Sequence, residues 1–186
     1  MSADAVLTPE LLAFLRQAAD RQAILDCLHR YTRGVDRADR ALMLSAYHPD
    51  AIDEHGVANL GAADFVDWAI GYHAAYQTRY QHIITNHSVE LDGEVAHGET
   101  YYLFWGENRE GPPTIAFGRY VDRFEKRGGQ WAIAHRVCVN ELVGAFTGTE
   151  VPAAFLAALR STGPSTRDGG DVSYQRPLTS GLGHAE

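Results

Sequence analysis

Asp36 closes the run RYTRGVD (30–36), and His82 stands in YQHIITNHSVELDG (80–93). A carboxylate hydrogen-bonded to one imidazole nitrogen fixes the ring's tautomer and stabilises the imidazolium. The other nitrogen is then free to take a proton from a bound molecule. Asp36 and His82 are therefore a candidate general-base dyad if helix and strand bring them together. The plainer reading of a lone strand histidine is a satisfied core or surface residue, but Ile83 and Ile84 beside it point to partial desolvation. Tyr31, five residues before Asp36, is a candidate donor to a leaving group or carbonyl, with simple packing as its alternative. Arg136, in WAIAHRVCVNELV (131–143), shares an alternating face with Ala134, Cys138 and Asn140. An arginine among small and apolar neighbours needs an anion, either a substrate or a structural partner such as Asp36 or Glu141.

These residues need particular elements to position them. Thr8-Pro9-Glu10 is a helix start. From Asp20 to about Arg37, Ala23, Ile24, Cys27, Leu28, Tyr31 and Val35 recur at helical spacing, which puts Tyr31 on the buried stripe and Asp36 at its edge. A short helical run DRALMLSAYH follows, then PDAIDEHG, read as a turn leading into a short strand. A further helix fits Ala62 to about Tyr76, with Phe65, Trp68, Ala69 and Tyr72 on one side. After Tyr80 the period falls to two, with strands expected over 81–91, 95–108, 113–126 and 130–143, joined by Asp92-Gly93, ENREGPP and Arg127-Gly128-Gly129. Alternation from His82 conflicts with the buried parity of Val89 and Leu91, and a β-bulge near Thr85 to His87 would reconcile them. A last helix is expected from Pro152 to Arg160.

This order implies an α+β fold: a cone-shaped, strongly curved antiparallel (mixed) sheet covered by N-terminal helices and enclosing a pocket. Residues 1–160 form a single domain on this reading, and 161–186, polar and rich in Gly and Pro, form an extended or flexible C-terminal tail. Trp68, Tyr72, Tyr102, Phe104, Phe117, Tyr120 and Asn140 are the candidate pocket-lining residues, suited to a flat aromatic or polycyclic ligand.

With 186 residues, 45% hydrophobic and 22% charged, the chain is of ordinary globular composition and has no apolar run that would span a bilayer. A formal charge of −8 without a basic track argues against nucleic acid as a partner. The N-terminus lacks a secretory pattern, so a cytoplasmic location is expected. Cys27 and Cys138 are expected as buried free thiols. His87, His97 and His135 are weaker candidates, and His48, His55 and His73 lack metal-ligand spacing. His48 to His55 reads as a solvated turn and strand edge. No metal and no cofactor are expected.

Three stretches, ILDCLHRYTRGVDRADRALMLSAYHPDAIDEHG, HIITNHSVELDGEVAHGETYYLFW and GRYVDRFEKRGGQWAIAHRVCVNE, resemble the SnoaL-like branch of the nuclear-transport-factor-2-like superfamily over residues 15–145. Within it the pattern is similar to dehydratase- and dehydrochlorinase-type lyases. The resemblance implies roles for Asp36 and His82 as the dyad, and for Tyr31 and Arg136 as its companions. It departs from the dehydrochlorinases at Tyr31, where they carry lysine. What it implies is a cofactor-independent lyase, of dehydratase or formaldehyde-releasing type, acting on a hydrophobic aromatic or polycyclic small molecule. The alternatives are a cyclase or isomerase using the same base, or a ligand-binding module like the small subunit of a ring-hydroxylating dioxygenase. It also implies a homodimer or homotrimer.

Overall fold

The computed structural model describes residues 8–147, 151–159, 161 and 165–178. Helix α1, Pro9–Asp36, starts where Thr8 Oγ1 accepts from the Leu11 amide at 3.3 Å with proline in the first turn. Its first turns are exposed, and Ile24, Cys27, Leu28, Tyr31 and Val35 then carry the buried stripe. The chain leaves the helix through Ala38, which takes a left-handed φ of 51°. Asp39 caps the short helix α2, Arg40–Leu44, by accepting from the Leu42 amide at 3.0 Å.

The sheet comprises β1 (Tyr47–Glu54), β2 (Asn59–Gly61), β3 (Gln77–Asp92), β4 (Val95–Asn108), β5 (Thr114–Arg127) and β6 (Gln130–Ala145), with helix α3, Ala62–Tyr76, between β2 and β3. Its order is β2-β1-β6-β5-β4-β3. The last four strands form the expected meander, with positive-φ glycines at the Asp92-Gly93 and Gly128-Gly129 turns. β1 joins β6 in parallel, so the sheet is mixed, and it does not close on itself. The reading of 48–55 as a solvated turn and strand edge is corrected here: residues up to Glu54 belong to β1, an interior strand of the sheet, with His48, Ala51 and Asp53 buried.

Between Ile84 and His87 the β3–β4 register shifts by one residue. The bulge lies where the conflict of parity demands it. Before it His82 and Ile84 face the helices; after it His87, Val89 and Leu91 do, and His87 Nδ1 meets the buried Thr100 Oγ1 at 2.9 Å.

Helix α4 spans Ala153–Leu159, and Arg160, the expected end of that helix, lies outside the described residues. The described part of the C-terminal segment lies against the end of α1. Asp171 pairs with Arg37 at 2.6 Å, and the Arg33 guanidinium stands 5.0 Å from the Tyr174 ring centre. No described helix is long and apolar enough to cross a membrane.

Where α1 approaches α2, a Cβ on Gly34 would fall 2.4 Å from the Met43 amide nitrogen. That neighbour is backbone and cannot swing aside. Gly34→Ala is expected to destabilise the fold by roughly 1–3 kcal/mol or more, read as a lowered urea midpoint; an unchanged midpoint would contradict this packing.

Candidate active site

Asp36 is the last residue of α1, at the end where the helix dipole disfavours a carboxylate. Three hydrogen bonds compensate. The backbone amide of His82 donates to both carboxylate oxygens, at 3.0 and 3.1 Å, and His82 Nδ1 lies 2.8 Å from Oδ1. The two side chains are only 10% and 14% exposed. Two residues earlier on β3, the Tyr80 hydroxyl donates to the Val35 carbonyl at 3.0 Å, so the strand also caps the helix end. With Nδ1 engaged, Nε2 is the imidazole atom left for other chemistry, and the ring forms part of a cavity wall.

That cavity, of about 860 Å³, lies between the inner sheet face and helices α1 and α3. Tyr31, Trp68, Tyr72, Tyr102, Phe104, Tyr120 and Asn140 all line it. Trp68 and Tyr72 stack along α3 with ring centres 5.4 Å apart. Tyr102 stacks on Tyr120 at 4.6 Å and donates its hydroxyl to Asn140 Oδ1 at 2.6 Å. Gly118 makes room for this pair, since a Cβ there would fall 2.7 Å from the Tyr102 hydroxyl. Phe117 is the exception among the expected lining residues. Strand β5 turns Ala116, Gly118 and Tyr120 inward, which places Phe117 on the outer face, 39% exposed.

Arg136 does not reach the cavity wall. It is fully buried, and Nε and Nη2 form a two-pronged pair with Asp122 at 2.7 and 2.8 Å. Its guanidinium lies between the rings of Tyr31 and Tyr120, 4.2 and 4.1 Å from their centres. Its anion is thus the residue directly across the β5–β6 hairpin, and neither Asp36 nor Glu141. Arg136 holds two cavity tyrosines in place from beneath. Burial raises the Tyr31 phenol above its ordinary range, so it remains a hydrogen-bond donor at neutral pH.

Two further histidines line the cavity. His73, on α3, stacks on Tyr80 at 4.2 Å, and its Nδ1 meets Gln77 Oε1 at 2.5 Å. Burial, helped by neighbouring His82, pushes it down to about 3, so it stays neutral. His55, just past β1, stacks on Phe65 at 4.6 Å, and its Nδ1 hydrogen-bonds Asp53. Among the described residues no three His, Cys, Asp or Glu side chains converge as a metal site. Cys27 and Cys138 are free and buried.

The family model of the SnoaL-like domain matches residues 16–137. The chain belongs to the SnoaL-like family. No curated protein matches it by sequence. Its fold, of nuclear-transport-factor-2-like type, is shared with a hexachlorocyclohexane dehydrochlorinase of type 2 (TM-score 0.68, 21% identity, 75% of this chain and 98% of that one). It is shared also with a type 3 hexachlorocyclohexane dehydrochlorinase from Novosphingobium barchaimii (0.65, 23%, covering 74% and 98%). A Mycobacterium tuberculosis protein of unknown function is similar as well (0.63, 24%, 84% and 91%). At these identities the likeness is one of fold.

In this SnoaL-like domain, Asp53 and His55 are the site residues that sequence reasoning passed over. Asp53 is fully buried, and Tyr47 donates to its Oδ2 at 2.5 Å. The available signal was the alternation of Ala51, Asp53 and His55 against Asp50, Ile52 and Glu54. It is inverted: Ile52 is 45% exposed while the aspartate is inside.

Burial alone would lower the His55 imidazole, but the hydrogen bond it donates to Asp53, then neighbouring Cys138, outweigh it and hold the ring at about 9. The native state therefore keeps a proton that the unfolded chain releases near its usual value of about 6.5. This stabilisation is complete below about 6.5 and is lost as the pH rises through about 9. Denaturant unfolding of the wild type between pH 6 and 9.5 is expected to show that decline, and His55→Gln to flatten it. Equal slopes in the two proteins would contradict the assignment.

Proposed function

We propose that this SnoaL-like protein is a cofactor-independent lyase acting on a hydrophobic, aromatic or polycyclic small molecule. The observation that carries this reading is the hydrogen bond between His82 Nδ1 and Asp36 at 2.8 Å, on the wall of a cavity built largely of aromatic rings. Nε2 of His82 takes a proton from a substrate carbon, and Asp36 stabilises the imidazolium that results. The electron pair of the broken C–H bond forms the new double bond. The C–O bond on the neighbouring carbon breaks, and its oxygen leaves with the electron pair of the C–O bond and gains a proton from Tyr31 to depart as water. In the formaldehyde-releasing variant His82 instead takes the hydroxyl proton of a hydroxymethyl substituent, whose C–C bond breaks to free formaldehyde; the pair of that C–C bond forms the double bond as the neighbouring C–O bond breaks.

Tyr31, protonated and on the cavity wall, is the donor in this scheme. Arg136 acts through it by holding the ring from below and touches no substrate. Dehydrochlorinases of the same fold support the lyase class, while the tyrosine at position 31 supports an oxygen leaving group over a halide. We assign the outer sheet face, where Tyr101, Phe117 and Val121 are each about two-fifths exposed, to a homodimer or homotrimer.

On a panel of hydroxylated aromatic substrates, His82→Ala and Asp36→Asn are each expected to lower turnover by about 10²–10⁴-fold with little change in the thermal midpoint. Wild-type rates in both variants would exclude His82 as the base. A product of unchanged mass would point to the isomerase alternative.

A further inference from the structure

Beneath the cavity floor lies a cluster of buried charges that does not balance without His55. Asp53 and Asp122 are both buried, and each is placed beside the fully buried guanidinium of Arg136. In register, Asp53 stands opposite Arg136 on the β1 side and Asp122 stands opposite it on the β5 side. Both prongs of Arg136 that make hydrogen bonds go to Asp122. Asp53 instead receives the Tyr47 hydroxyl and the His55 imidazole. Two carboxylates against one guanidinium leave one negative charge uncompensated in a low-dielectric setting, and that state is costly. An imidazolium at His55 brings the cluster to neutrality.

His55 differs from the other charged members of the cluster in its position. Its side chain is 17% exposed and forms part of the cavity wall. The ring is therefore a cation presented to an apolar, aromatic chamber, backed on one nitrogen by a buried carboxylate. His73 across the chamber is neutral, so His55 supplies a positive charge that His73 does not.

We propose that the His55 imidazolium is an anion-binding subsite of the cavity. The ligands it selects are aromatic or polycyclic molecules carrying a carboxylate, phenolate or enolate oxygen at the end that reaches it. The proposal rests on the lyase reading only in taking this cavity as the substrate site. An N–H⁺ to anionic oxygen bond in a desolvated chamber is stronger than its neutral counterpart. In a lyase it would also hold the oxygen on which charge gathers as the proton leaves for His82.

The groups that face His55 define how its charge depends on pH. Asp53 comes from β1, Tyr120 from β5 and Cys138 from β6, while α3 contributes Phe65 and the neutral His73; next to these stand Tyr47 on Asp53, Arg136 opposite Asp53, and Tyr31 against Tyr47 and Tyr120. Burial holds the Tyr31, Tyr47 and Tyr120 phenols above their ordinary range, so these rings do not ionise in the window where His55 does.

The test compares 2-naphthoate with its neutral analogue 2-naphthamide, binding to the full chain by calorimetry. At pH 7 the wild type is expected to bind the carboxylate roughly tenfold more tightly, as for a hydrogen bond to a charged group. That advantage should fall away as the pH passes about 9 while naphthamide binding stays flat. His55→Gln should lose the advantage and keep naphthamide affinity. Cys138→Ala should retain the advantage, with its loss moved to lower pH because the neighbouring thiol helps to hold the His55 proton. Equal affinities of the wild type for the two ligands, or no binding of either, would overturn the proposal. So would an advantage that persists in His55→Gln. Should that variant fail to fold, a wild-type advantage unchanged up to pH 10 overturns it instead. His82→Ala is expected to keep the naphthoate advantage, so the subsite and the lyase reading fail separately.

Discussion

A carboxylate at the C-terminal end of a helix opposes the helix dipole, at a cost of about 0.3–1 kcal/mol. Asp36 occupies that position because β3 brings two donors to it, which make three hydrogen bonds: one backbone amide that serves both oxygens, and one imidazole. The same contact does three jobs. It docks the end of α1 on the edge strand, orients His82, and commits Nδ1 to the carboxylate. The bulge after Ile84 then lets β3 hold His82 over the cavity at one end and still bury Val89 and Leu91 at the other. The opening, the helix packing and the strand irregularity all follow from holding one imidazole in one orientation.

The histidines of the cavity show how local surroundings give the same side chain different chemistry. His73 is buried among Tyr80, Phe104 and Gln77, bonded to an amide oxygen, and burial keeps it neutral. His55 is stacked on Phe65 and bonded to a fully buried aspartate, and it holds its proton. His82 is bonded to an aspartate that is itself supported by a backbone amide. Arg136 and Asp122 are the fixed charges against which the floor of the cavity is balanced, and the rings of Tyr31 and Tyr120 cover the guanidinium face on both sides.

Much of this was legible in the sequence because the relevant signals are local. The stripe of α1 fixes where Tyr31 and Asp36 point, and the clash of parities along β3 locates the bulge without any tertiary information. What was not legible depends on pairing between distant segments. Nothing in 47–54 reveals that β1 runs parallel to β6, and its inward Asp53 and outward Ile52 invert the usual hydrophobic alternation. A buried charged cluster hides from periodicity because it places polar residues where apolar ones are expected. The partner of Arg136 required the register of the β5–β6 hairpin, which includes a shift between Arg123 and Phe124 that no turn signal announces. Phe117 was misplaced for the related reason that aromatic richness in β4 and β5 does not by itself say which face each ring takes.

General-base chemistry at His82 requires a free Nε2 facing the cavity while Nδ1 donates to Asp36. Nitrogen-15 NMR of histidine-labelled protein at neutral pH, with the His82 signals assigned by their loss in His82→Gln, reports this directly. The expected result is that the neutral form of the ring carries its proton on Nδ1, with a shift toward the other tautomer in Asp36→Asn. A wild-type His82 with its proton on Nε2 would contradict the account.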